Sequence, residues 1–268
     1  MKSLIRASQL VRLFFIMSIG LMLLSCSFIN GHTIAGSGNV VKQDRQVASF
    51  HQLKTSIPLN IVLIPSNQYR VVVEIDDNLQ PYIAVANEGS LLDISMTKHV
   101  NFSWRVKGQV FVYVDSLTAL YNHSVGNITM LDTLHVPSFK LENHAVGKTT
   151  LNIDAKSVII KNHSVGNTQL AIMADSLLLE DHAVGETELT GICNDAVLQN
   201  HSVGNFDARQ FICQTMHLTN SAVGNTKVTA EKAFYISNSG VGGLTLYGKG
   251  NIVSLHDSGL SKTRRADN

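Results

Sequence analysis

Between residues 117 and 261 apolar and polar positions alternate on both sides of a recurring hexapeptide. "NHSVGN" at Asn122 returns as "NHAVGK" at Asn143, "NHSVGN" at Asn162, "DHAVGE" at Asp181 and "NHSVGN" at Asn200. It continues as "NSAVGN" at Asn220, "NSGVGG" at Asn238 and, decayed, "DSGLSK" at Asp257. Successive copies lie 21, 19, 19, 19, 20, 18 and 19 residues apart. Two positions before each Asn or Asp stands a large aliphatic: Leu120, Leu141, Ile160, Leu179, Leu198, Leu218, Ile236 and Leu255. Eight positions after it stand Met130, Leu151, Leu170, Leu189, Ala208, Val228 and Leu246. The neighbouring positions are mostly polar, as in Glu142, Lys161 and Glu180 before the hexapeptide and Thr150, Gln169 and Glu188 after it. Period-two alternation predicts strands with one buried face. A unit this short cannot bury that face alone and has to stack on copies of itself. A leucine-rich repeat would show another consensus, and a propeller blade would need about twice the length. The expected fold is therefore all-β: a parallel β-helix of about seven regular coils of 18–21 residues over 117–261.

Upstream, residues 36–116 show dense strand signals and no period. "NIVLI", "YRVVVEI", "LLDISM" and "GQVFVYV" are separated by turn-forming stretches such as "PSNQ" and "NEGS". No window longer than a turn has helical spacing. This irregular β-rich section is expected to begin the solenoid, and the charged tail at 262–268 to cap its open end.

Stacking gives each hexapeptide position a role, because identical residues come about 4.8 Å apart. The Asn column is expected to form a ladder of side-chain amides at a coil corner. The Gly column permits a bend. The Val column, Val125 to Val241, either packs inward or forms an apolar surface stripe. His123, His144, His163, His182 and His201 fall outward by alternation and should form a surface ladder. Three readings of that ladder compete: rings stacked on a rim, a divalent-metal surface, and a ligand-contact or pH-sensing strip. Neighbours in one column share a single direction, and no carboxylate column flanks them throughout. Ser221, Ser239 and Ser258 replace His in later copies. Stacking is therefore the expectation, with no metal. The charges of Glu142, Lys161 and Glu180 alternate in sign and suggest cross-coil pairs.

Composition narrows the function classes. The net charge of +1 and charged fraction of 15% offer no field for nucleic acid. Lys2, Arg6 and Arg12 precede the apolar run "LFFIMSIGLMLL" and the ending "LLSC". That is the order of a secretory signal, too short to span a bilayer as a helix. Its ending resembles a bacterial lipobox, with Cys26 as the lipid-bearing residue. Residues 1–26 are thus expected to be signal and anchor, and 27–35 a linker. The compartment allows a disulfide, and Cys193 and Cys213 sit at nearly the same phase of successive units. The other reading is two buried thiols. Asp154, Asp175 and Asp195 fall near turns of successive units, as in some polysaccharide-cleaving β-helices, but turn chemistry explains each of them. Phe102, Trp104 and Tyr113 could make a sugar platform, with core packing the plainer reading. No hydrolase, zinc-protease or phosphate-loop motif is present, and no cofactor is expected.

"GSGNV" at Gly36–Val40, "FHQL" at Phe50–Leu53, "VVVEIDDNL" at Val71–Leu79 and the later "LLDISM" follow one another as in the head GIN domain family of auto-transporter adhesins. The chain resembles that family over residues 36–261. The resemblance implies a right-handed parallel β-helix on an envelope lipoprotein of Bacteroidetes-type bacteria, expected on the outer membrane. It transfers no catalytic residue. The His column departs from the family's Ser and Gly. The expected role is a non-catalytic binding or adhesion surface for an envelope ligand, glycan or protein. The alternatives are a polysaccharide-active enzyme and a structural scaffold.

Overall fold

The computed structural model describes residues 32–97, 100–103, 105–258, 260 and 262–266. Cys26 and Trp104 lie outside them. Strands Leu134–Asn143, Thr149–Asn162, Thr168–Asp181, Thr187–Asn200, Phe206–Asn220 and Thr226–Asn238 pair in parallel, each with the next. The register stacks like on like: Leu141 on Ile160, Leu179, Leu198, Leu218 and Ile236. All six are buried. The result is a parallel β-solenoid of about eight turns.

Alternation drives this packing and also marks the corners. Along Thr149–Asn162 the buried positions are Thr149, Leu151, Ile153 and Ala155, then Val158, Ile160 and Asn162. Two outward residues in succession, Lys156 and Ser157, shift the phase and turn the chain. The hexapeptide makes the next corner. Its Gly column carries φ from +133° to +158°. A Cβ on Gly147 would lie 2.5 Å from the Gly126 carbonyl oxygen of the coil below. Both the torsion and the approach of successive backbones require glycine there.

The eighth turn comes from the N-terminal section. Gln52–Ser56 and Asn60–Pro65 lie beneath the first hexapeptide coil, with Leu53 under Leu120, Thr55 under Asn122 and Ile61 under Ile128. Beneath these lie Leu91–Met96 and Gln109–Val114, also parallel. The chain therefore lays down one rung, goes below it, and returns above it. Antiparallel pairs close this end: Val40–Arg45 with Arg70–Asp76, Arg70–Asp76 with Gln109–Val114, and Ile83–Glu88 with Leu91–Met96. Asp77–Tyr82 forms a 3-10 turn between them.

At the other end the charged tail caps the short strand Leu244–Tyr247. Thr263–Arg265 pairs with the strand Leu244–Tyr247, and the Arg265 guanidinium donates to the Gly248 and Gly250 carbonyls. The last long strand, Asn251–Asp257, has no strand above it among the described residues. Leu255, at a core phase, is 45% exposed there.

Candidate binding surface

The hexapeptide edge is built on a buried polar ladder. The Asn122 side-chain amide donates to Asn143 Oδ1 at 2.9 Å, Asn143 to Asn162 at 2.9 Å, and Asn162 to Asp181 at 3.0 Å. The direction resumes from Asn200 to Asn220 at 3.0 Å, Asn220 to Asn238 at 2.8 Å and Asn238 to Asp257 at 2.9 Å. A threonine column, Thr149, Thr168, Thr187 and Thr226, is buried beside it. Asn143 and Asn162 also donate to Thr149 and Thr168. Where Phe206 takes the threonine position, Asn200 reaches Thr226 in the coil above. This column was visible as a recurrent Thr six places after the Asn, at an inward phase where alternation had drawn attention only to aliphatics.

Asp181 interrupts the ladder. Its Oδ2 is buried without a hydrogen-bond partner, and so is Thr187 Oγ1. Burial pushes the Asp181 carboxyl above its ordinary range, against hydrogen bonds that favour the anion.

Above the ladder the five imidazoles are outward and stacked. Ring centroids from His123 to His201 are 5.0, 4.9, 4.9 and 4.8 Å apart, with interplanar angles of 2°, 7°, 6° and 22°. His201 Nδ1 lies against Ser221 Oγ, where serine takes over the column. Partial burial, then neighbouring imidazoles, lower the pKa of His123 and of His163. The valine column beside them forms a surface stripe: Val125 to Val241 are 47–58% exposed, and each bridges the next.

The charged column departs from the cross-coil pairing expected for it. Glu142 takes Lys140 of its own strand at 2.7 Å, and Glu180 takes His182 at 3.0 Å. Both partners are two residues away on the same outward face, and reach the carboxylate before Lys161 does. The Lys140 hydrogen bond is the main influence holding Glu142 below its usual range, and His182 does the same for Glu180. Ligand atoms of His163, Glu180 and His182 all lie within 4.8 Å of one another. Glu180 is a single carboxylate beside the ladder and belongs to no carboxylate column.

A second feature lies at the phase-shift corner. Met173, Ile192 and Ile212 are exposed apolar residues stacked on successive strands. They line a groove of about 850 Å³. His135 and Asp154, in contact at 2.9 Å, stand at one end, and Asn194 donates to Asp175 at 3.2 Å on the rim. Alternation places all three apolar residues outward, which was the available signal.

The remaining candidates resolve individually. Asp154 pairs with Met173 in the ladder and Asp195 with Ser176, so Asp154 and Asp195 occupy different columns and form no acid cluster with Asp175. Phe102 packs edge-on against Tyr82, and Tyr113 lies under Arg70. Cys193 and Cys213 are register partners, brought level by an irregularity between Glu188 and Thr190. Both are buried free thiols. Burial raises Cys193 to about 11 and raises Cys213 further. No helix among the described residues is long and apolar enough to cross a membrane.

Solved structures share this architecture. A "putative adhesin" from Parabacteroides merdae superposes with a TM-score of 0.75 at 14% identity, covering 88% of this chain and 100% of its own. A "putative lipid binding protein" from Parabacteroides distasonis gives 0.71 at 16%, with 88% and 100% covered. A "putative adhesin" from Bacteroides fragilis gives 0.67 at 20%, with 87% and 100% covered. At these identities the likeness is one of fold. No curated protein matches the chain. The family described as "putative auto-transporter adhesin, head GIN domain" matches residues 49–250. The chain belongs to the head GIN domain family.

Proposed function

We propose that this chain is a non-catalytic binding or adhesion module of the bacterial envelope, tethered to the outer membrane by a lipid on Cys26. The observation that carries the reading is the groove of Met173, Ile192 and Ile212. Apolar side chains repeat along it at the strand spacing of about 4.8 Å, and polar groups rim it. Such a track suits an extended amphipathic chain, a glycan or a protein segment. The scattered acids weigh against polysaccharide cleavage. The test uses a glycan array and purified envelope fractions, including lipids, probed with the wild-type chain and with Met173→Asp and Ile192→Asp. Each substitution should weaken capture at least about ten-fold, since a charge would face the apolar track. Degradation of a polysaccharide, or capture unaffected by either change, would overturn the reading. For the tether, metabolic fatty-acid labelling should mark the wild type and not Cys26→Ala.

A further inference from the structure

We propose that His163, Glu180 and His182 form a binding site for one divalent cation of the zinc type. This reverses the expectation of a metal-free ladder. Glu180 and His182 are alternate residues on one strand face, and His163 is the register neighbour of His182 on the coil below. Lys161 lies beside Glu180 in the ladder. The three ligand atoms lie within 4.8 Å of one another, and Glu180 Oε1 is already 3.0 Å from His182 Nε2. Two nitrogens on a tetrahedral ion sit about 3.4 Å apart, given metal–nitrogen bonds of about 2.1 Å. The closure needed is at most about 1.4 Å, shared between side chains at the surface, and small ring tilts supply it. His163 and His182 contribute neutral imidazoles, Glu180 contributes the anion, and water completes the shell.

The ion would take the place of the proton that His182 and Glu180 share across their contact. Lys161 is the opposing charge on this face, and the rings of His144 and His201 flank the site above and below. No other group of three among the described residues brings such ligands together. The corresponding carboxylate beside His123 and His144 is Glu142, and Lys140 holds it at 2.7 Å. The site is therefore local to one stretch of the ladder.

Calorimetric titration of the whole, chelator-treated chain with Zn²⁺ alone at about pH 7.5 tests this. Saturable binding of one ion per chain is expected. Glu180→Gln should weaken it at least about ten-fold and His182→Asn more, while His123→Asn stays within about two-fold. Lowering the pH to about 5.5 should weaken binding in the wild type as the imidazoles protonate. Circular dichroism confirms that each variant keeps the strand signature. Absence of saturable binding would overturn the proposal. So would equal losses in His123→Asn and Glu180→Gln, which would make the imidazole strip as a whole the ligand.

Discussion

Asp181 stands where six other rungs carry asparagine, and one proton makes it their equivalent. A protonated carboxyl offers one acceptor and one donor, as an amide does. It can then receive from Asn162 and donate from Oδ2, the atom that lacks a partner. Between the unfolded value, near pH 3.9, and the raised folded value, the folded chain keeps a proton that the unfolded chain releases. Because the folded pKa is raised, this stability is fully present below the unfolded value and is lost as pH rises through the folded value. Asp181→Asn should stabilise the chain by about 1–2 kcal/mol at pH 8 and by less at pH 5. Urea denaturation of the two proteins at both pH values measures this, and the difference between them removes the other titrating groups. A constant difference would contradict the account. Asn162→Ala, which removes the rung partner of both Asn143 and Asp181, should cost about 1–3 kcal/mol in the same measurement. At this scale the sequence was legible wherever a column was uniform. The Asn and His columns could be read directly. The pairing of Glu180 with His182 could not, because side-chain reach within a strand decides it and the repeat is silent on that.

A coil is held by two kinds of position, aliphatics filling the interior and glycines letting backbones close at the corner. Leu179→Ala should cost about 2–5 kcal/mol, because coils above and below fix the walls of the cavity it leaves. Gly166→Ala places a methyl against the Gly147 carbonyl in a torsion that L-residues avoid. A loss of at least about 2 kcal/mol is expected, seen as a lower midpoint in thermal unfolding. Alternation with a small residue at a bend was enough to predict both. The cysteine pair needed the structure, since a local irregularity, invisible in spacing alone, levels Cys193 with Cys213. With both thiols buried and their pKa values raised, iodoacetamide should leave Cys193 and Cys213 of the native chain unlabelled at pH 8. It should modify both after unfolding without reductant. A mass 2 Da lower with neither labelled would mean that they are bonded.

The whole molecule is a column with unlike ends. Antiparallel strands and a 3-10 turn cover the first. At the second, Asn251–Asp257 is paired along one edge only among the described residues. Amide exchange should therefore be slowest in the coils from Thr149 to Asn220 and fastest among the strands in Asn251–Asp257. The regular coils were legible because each repeats its neighbour's chemistry. The N-terminal section was legible as strands and not as topology. Its rungs are stacked out of chain order, and its corner at Ile57–Asn60 carries none of the hexapeptide. The about seven coils of the repeat and this N-terminal rung together make the about eight turns.

Every level of this account requires the valines of successive hexapeptides to stand one rung apart along a single axis. Spin labels at Val125→Cys paired with Val203→Cys, and at Val125→Cys paired with Val241→Cys, would measure that spacing by pulsed electron resonance. The bridges place these pairs four and six rungs apart. Distances of about 19 Å and about 29 Å are predicted. Two distances that do not grow in proportion to the number of rungs would contradict it.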